Sequence, residues 1–87
     1  MPSLRVFTYL LAVAETGHFG EAAERCAVSQ PTLSGQLKRF EEYLGTPLIE
    51  RRRDGARLTE QGRKVAAWAE VVVYAVKRMR ETAAEGH

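Results

Sequence analysis

Ser29-Gln30-Pro31-Thr32-Leu33-Ser34-Gly35-Gln36-Leu37-Lys38-Arg39-Phe40-Glu41-Glu42-Tyr43-Leu44 is the stretch on which the reading of the whole chain turns. It predicts one helix with two dissimilar faces. Leu33, Leu37, Phe40 and Leu44 recur at i, i+4, i+7 and i+11, the spacing of a single apolar stripe. Ser29 is a good N-cap, because its hydroxyl can accept from a free N–H of the first turn. Pro31 falls in that first turn, where its missing N–H costs little. Val28 and Leu33 have the N′ and N4 spacing of a hydrophobic staple. Away from the stripe, the front of the helix carries Pro31, Thr32, Ser34, Gly35 and Lys38. These are short, polar or basic, and a mid-helix glycine costs up to about 1 kcal/mol relative to alanine. A helix with a purely structural role would carry Glu, Lys or Ala there. A front of small residues lets another molecule come close.

The segments before it predict two more helices. Ser3 is placed to cap the first, whose apolar stripe is Leu4, Phe7, Leu11 and Ala14, widened by Val6, Leu10 and Val13, with Gly17 as its stop. Phe19, Ala22, Ala23 and Cys26 follow at i, i+3, i+4 and i+7, a short second helix whose alanines allow close helix packing. Cys26 reads as a small core residue, and His18 as a turn residue at the helix start. Ala27-Val28 then leads tightly into Ser29. Two helices, a short turn and a helix with a small polar front make the helix-turn-helix pattern.

Downstream, Gly45 ends the third helix and Pro47 prevents its continuation. Leu48-Ile49-Glu50 and Ala56-Arg57-Leu58 read as two very short strands with Asp54-Gly55 as the turn signal. Arg51, Arg52 and Arg53 fall at the tip and Arg57 on the return, a β-wing with a cationic tip. Thr59 is placed to cap a long last helix over about residues 60–84. Val65, Ala69, Val72, Val76, Met79 and Ala83 alternate by four and three, the seam of a coiled-coil-like pair. Trp68 and Val73 lie off that seam. A helix apolar on more than one side needs a partner, most simply its own copy in a two-fold dimer. The expected fold is therefore mainly α: a winged helix-turn-helix of three helices and a β-hairpin over residues 1–59, then a linker and dimerisation helix over residues 60–87.

Charge points the same way. The net charge of the 87 residues is only +2, yet eight of the thirteen basic residues lie between positions 38 and 64, against five acids. A local basic surface suits a polyanion. Cys26 is the one cysteine, so neither an intramolecular disulfide nor a multi-thiolate zinc site can form, and no metal or cofactor is expected. No signal peptide is visible, and the longest apolar runs, 9–14 and 71–76, are too short to span a bilayer. With His18 isolated and His87 at the terminus, local spacing assembles no nucleophile–base pair, so no catalytic residue is expected.

The run Phe19-Gly20-Glu21-Ala22-Ala23-Glu24-Arg25-Cys26-Ala27-Val28-Ser29-Gln30-Pro31-Thr32-Leu33-Ser34, then Leu37, Glu41-Glu42, Leu44-Gly45 and Pro47-Leu48-Ile49-Glu50-Arg51, resembles the N-terminal domain of LysR-type transcriptional regulators. Leu58-Thr59-Glu60-Gln61-Gly62 is similar to the start of that family's linker helix, and the likeness covers nearly the whole chain. Within the family, residues 26–37 most resemble the OxyR-type peroxide sensors. The resemblance implies a winged helix-turn-helix whose linker helix pairs antiparallel with its twin. It also implies dimers or tetramers on pseudo-palindromic operator DNA in the bacterial cytoplasm, at the nucleoid. It implies a C-terminal effector domain sensing a small-molecule or redox signal, and this chain is expected to be the DNA-binding fragment without it. Two departures stand out: Gly20 where many members have Ser or Thr, and the run of three arginines in the wing.

Under this reading the third helix enters the major groove front end first. Gln30 can read adenine through paired donor and acceptor contacts. Pro31 and Thr32 can touch a thymine methyl or a phosphate, Ser29 and Ser34 lie at the same front, and Gly35 permits close approach. Lys38 and Arg39 hold backbone, Lys38 also reaching guanine. Arg52, Arg53 and Arg57 grip phosphates or the flanking minor groove. Val65, Ala69, Val72, Val76 and Met79 form the expected dimer interface. The rival reading is a helical protein-interaction module docking through its last helix, which explains the seam but neither the small helix front nor the Arg-rich wing.

Overall fold

Local chemistry sets the ends of nearly every element. A computed structural model describes residues 3–86 and arranges them as α1 (Arg5–Thr16), α2 (Phe19–Arg25), α3 (Gln30–Leu44), β1 (Ile49–Arg52), β2 (Gly55–Leu58) and α4 (Glu60–Glu85). The Ser29 hydroxyl caps α3 by accepting from Thr32 N at 3.2 Å, and Thr59 Oγ1 caps α4 by accepting from Gly62 N at 2.9 Å. Gly17 and Gly45 close α1 and α3 in the left-handed conformation, φ 72° and 74°. The first cap differs from expectation. Leu4 occupies the N-cap of α1 without a side-chain bond, and Ser3 contributes only its backbone carbonyl, which accepts from Val6 N at 3.2 Å.

The helix-turn-helix connection is tight enough to force Ala27 to φ 57°, where a non-glycine residue gives up roughly 1–2 kcal/mol. Two backbone bonds hold it: Ala27 N donates to Glu24 O at 3.1 Å and Val28 N to Ala23 O at 3.0 Å. Ala22 and Ala23 are buried, so α2 lies close against both α1 and α3. Phe7 and Phe40 meet edge to face with centroids 5.6 Å apart. Leu33, Leu37 and Phe40 point inward as the periodicity requires, but Leu44 is 40% exposed. The chain turns away at Gly45, so the last position of the stripe has nothing to pack against.

α1 is the central element and is covered by α2 and α3 on one side and by α4 on another. Its buried arc is therefore Val6, Phe7, Tyr9, Leu10, Ala12 and Val13. The line Leu4, Phe7, Leu11, Ala14 runs along the edge of that arc, with Leu4 55% exposed and Ala14 exposed. Periodicity located the apolar side of α1 but not its centre, which depends on where the neighbours sit.

The hairpin is longer than its two apolar triplets. The register pairs Ile49 with Leu58, Glu50 with Arg57, Arg51 with Ala56 and Arg52 with Gly55. Arg51 and Arg52 thus belong to β1, and the connection is Arg53-Asp54, one residue earlier than the Asp54-Gly55 signal suggests. Gly55, at φ 148°, is needed for another reason: a Cβ there would overlap the Gly17 carbonyl and come within 3.2 Å of the His18 ring. Ala56 N donates to that same Gly17 oxygen at 2.8 Å, tying the wing to the end of α1.

α4 packs chiefly along α1. Ala66 and Ala69 are buried, Ala69 to 2% exposure, and Val65, Val72 and Val73 pack against the same core. Val65, Ala69 and Val72, expected as a seam between copies, are thus occupied within the chain. A repeat of 3.5 residues marks a helix–helix contact but does not say whether the partner is α1 or another molecule. Residues 77–86 are all exposed, and α4 stretches the molecule to 49 Å in its longest dimension.

Candidate nucleic-acid interface

The front of α3 is built by its own first turn. Ser29 Oγ accepts from Thr32 N and donates to Thr32 Oγ1 at 2.8 Å, so the cap also orients the threonine. Gln30, Pro31, Thr32, Gly35, Lys38 and Arg39 are exposed and Ser34 is half-buried, while Leu33, Leu37 and Phe40 anchor the opposite side. Gly35 is informative. A Cβ placed on it meets nothing within 4 Å, so the chain's own packing does not require glycine there. The helix would gain up to about 1 kcal/mol from alanine at that position. The open space in front of Gly35 is room for another molecule.

In the wing, side chains alternate between faces. Glu50, Arg52 and Arg57 share the outward face; Ile49, Arg51, Ala56 and Leu58 share the face toward the body. Arg52 lies 3.3 Å from Glu50, both side chains about half exposed, a pair of the kind that contributes little. Lys38, Arg39, Arg51, Arg53 and Arg57 form no ion pair among the described residues; the remaining pairs, Arg25–Glu15, Lys64–Glu60 and Arg78–Glu81, lie on other elements. The exposed face of α3 and the wing thus carry cations with no ion-pair partner among the described residues, and Arg51 reaches the front of α3 itself.

Two residues outside the expected contact set fix the wing relative to α3. Glu41 Oε2 accepts from Leu48 N at 2.7 Å and from Ile49 N at 3.1 Å, binding the root of the wing to the last turns of the helix. Arg51 does not belong to a solvated tip. Its Nη1 donates to Ser34 Oγ at 3.0 Å and its Cζ stands 4.4 Å from the centre of the Phe19 ring. Strand alternation from the apolar Ile49 would have placed Arg51 on the inner face; the longer reach of β1 hid that signal. At Gly20 a Cβ would make only ordinary contact with Gln30 Oε1, at 3.6 Å, so packing does not require glycine there.

Cys26 is half-buried at the end of α2 beside the core, as expected, and burial raises its thiol above the usual cysteine range despite the neighbouring Arg25. Among the described residues no group of three or more His, Cys, Asp or Glu could hold a metal ion, and no helix is long and apolar enough to cross a membrane.

A three-helix core, a small-residue helix front open to solvent and a basic hairpin beside it define a winged helix-turn-helix DNA-binding domain. Residues 4–63 match the model of the bacterial regulatory helix-turn-helix proteins of the lysR family, and the chain belongs to that family. It is 48% identical to the transcriptional regulator EstR of Acinetobacter baylyi over 73 residues, which is 84% of this chain and 24% of that protein. It is 41% identical to the dual regulator OxyR of Escherichia coli over 83 residues, 95% of this chain and 27% of that protein. The OxyR-type likeness of residues 26–37 is therefore accompanied by a relative of another name. Among solved structures, full-length OxyR C199D of Pseudomonas aeruginosa superposes with a TM-score of 0.94 at 41% identity, covering 99% of this chain and 29% of that one. The BenM DNA-binding domain with benA site 1 DNA superposes at 0.89 and 30% identity, covering 98% and 99%. The CbnR DNA-binding domain with DNA does so at 0.90 and 32%, covering 97% of each. The chain spans about a quarter of the length of the curated regulators it matches.

Proposed function

We propose that this chain binds double-stranded operator DNA sequence-specifically, as a transcriptional regulator and not as an enzyme. The front of α3 lies in the major groove, and the wing lies on the flanking backbone or minor groove. The observation that carries this reading is the open space ahead of Gly35 on a helix that also presents Lys38 and Arg39, beside a wing whose Arg51, Arg53 and Arg57 form no ion pair among the described residues. The solved complexes of the BenM and CbnR domains contain DNA, which supports the same use of the same fold. Ser29, Gln30, Pro31, Thr32 and Ser34 form the reading edge, and Arg52 and Arg57 add charge on the outer face of the wing.

Two copies bind together through α4. With Ala69 buried and Val65 and Val72 half-buried against the chain's own core, the pairing surface extends to Trp68, Val71, Ala75 and Met79, spaced i, i+3, i+7 and i+11. Trp68 is 71% exposed and Val71 and Met79 more than half exposed. Val76 borders an apolar groove with Leu4, Val72 and Val73 beside this ridge. A two-fold pair sets recognition helices roughly 34 Å apart, or a multiple of it, on one side of the duplex. We further propose that the whole regulator acts in the cytoplasm, assembles as a dimer or tetramer and takes a small-molecule or redox signal through a separate effector domain. Selection of bound duplexes from a random pool, followed by salt titration of the winners, tests the reading. The expected result is a two-fold related motif with affinity falling steeply with salt. Absence of any salt-dependent mobility shift with duplex DNA would refute it.

A further inference from the structure

Arg51 is held from several sides. Its backbone is in the ladder opposite Ala56, which is itself tied to Gly17 O. Its guanidinium lies over Phe19, a residue packed against the core. No carboxylate pairs with it among the described residues, and its one side-chain hydrogen bond goes to Ser34 Oγ. Among the described residues Ser34 has no other hydrogen bond from its side chain: no carbonyl of its own helix receives the hydroxyl, although serine in a helix commonly makes that bond.

A serine hydroxyl has one hydrogen and two lone pairs. Arginine has donors only, so the Arg51 bond occupies a lone pair and the cation repels the hydroxyl hydrogen. The hydrogen is left pointing away from Arg51. We infer that Arg51 is a positioning residue for Ser34, turning its hydroxyl hydrogen toward DNA and so biasing what it reads toward acceptors. Those are phosphate oxygens, guanine N7 or O6, adenine N7 and thymine O4; the amino groups of cytosine and adenine are disfavoured, since only the one lone pair left beside the cation can accept from them. The inference rests on the DNA-binding reading and adds to it the polarity of one contact. A planar fork is needed, because it stacks on Phe19 and reaches Ser34 at once. A lysine keeps the charge but cannot do both.

The test compares the whole chain with its Arg51→Lys, Arg51→Gln, Ser34→Ala and Arg51→Lys/Ser34→Ala variants by selection from random duplexes. Arg51 is exposed and Ser34 half-buried, and matching melting curves establish that the variants fold. Ser34→Ala is expected to lose about five- to tenfold of preference for an acceptor at one position per half-site. Arg51→Lys should lose the same preference while overall affinity falls less than about threefold, and the double variant should lose no more than either. In the DNA-free chain, the Arg51 side-chain N–H resonances should carry a ring-current shift from Phe19 and move in Ser34→Ala. Overturning results are an Arg51→Lys variant that keeps the preference, an Arg51→Gln variant weakened equally on all duplexes with the preference intact, or Arg51 resonances indifferent to Ser34. Failure of the unsubstituted chain to select any duplex would instead remove the DNA reading itself, before any variant is compared.

Discussion

Gly62→Ala separates helix propensity from tertiary packing, because the two predict opposite signs. In the first turn of α4, alanine should stabilise by up to about 1 kcal/mol. Yet a Cβ at Gly62 would overlap the Leu48 carbonyl oxygen and lie 2.9 Å from its carbon and 3.2 Å from Leu48 Cα. Carbon atoms at rest stand about 3.5–4.0 Å apart, so the backbones must part by roughly 0.5 Å or more. That carbonyl is not free to move: it accepts from Thr59 N at 2.9 Å, while Thr59 Oγ1 donates to Pro47 O at 2.8 Å and accepts from Gly62 N. Overpacking of this kind destabilises by about 1–3 kcal/mol, and each loosened hydrogen bond adds about 1 kcal/mol. After subtracting the propensity gain, a net loss of about 1–3 kcal/mol remains. In a domain of this size each kcal/mol lowers Tm by about 4–8 °C. Thermal and urea unfolding at a fixed protomer concentration measure it, the concentration mattering because pairing adds to apparent stability. A variant as stable as its parent would show that Gly62 is not in contact with Leu48 and that α4 stands farther from the wing root.

Gly35→Ala should do the reverse: with no neighbour to strike, it gains up to about 1 kcal/mol in unfolding experiments while weakening DNA binding measurably, and unchanged affinity would deny close approach at that point. Glu41→Ala leaves the Leu48 and Ile49 N–H groups without their acceptor and should destabilise by about 2–4 kcal/mol, read by urea midpoint at constant slope. Arg53→Ala should weaken all duplexes about equally and reduce the salt slope by roughly 1; a changed base preference would contradict a backbone role. Val71→Glu should yield monomers in sedimentation with the melting transition of each protomer retained. Val72→Glu should instead damage the chain's own core; a dimer that survives Val71→Glu would move the pairing surface elsewhere.

The caps and stops show how much of this fold is local. Ser29, Thr59, Gly17 and Gly45 act within three or four residues of themselves, and their roles could be read from neighbours alone. Ser3 failed as a cap because Leu4 took the position, a choice between adjacent residues that short-range pattern does not resolve. The candidate interface was legible where smallness was unexplained, at Thr32, Ser34 and Gly35, since nothing in an isolated helix calls for those residues. It was not legible at Arg51 or Glu41. Their side chains act across elements 17 and seven residues away in sequence, and their partners, Ser34 Oγ and the Leu48 N–H, carry no distinguishing mark.

By itself the amino-acid order determined the elements, their sequence along the chain, a helix front of small residues and a local excess of basic residues. These follow from periodicity, capping and charge, which are properties of a segment. Only the tertiary structure decided which stripe of α1 is central, that Val65, Ala69 and Val72 of the α4 seam pack on the chain's own core, and that Arg51 turns inward to Ser34. Burial is a relation between two surfaces. An apolar face or a long cation is indifferent to its partner until the rest of the fold brings one within reach.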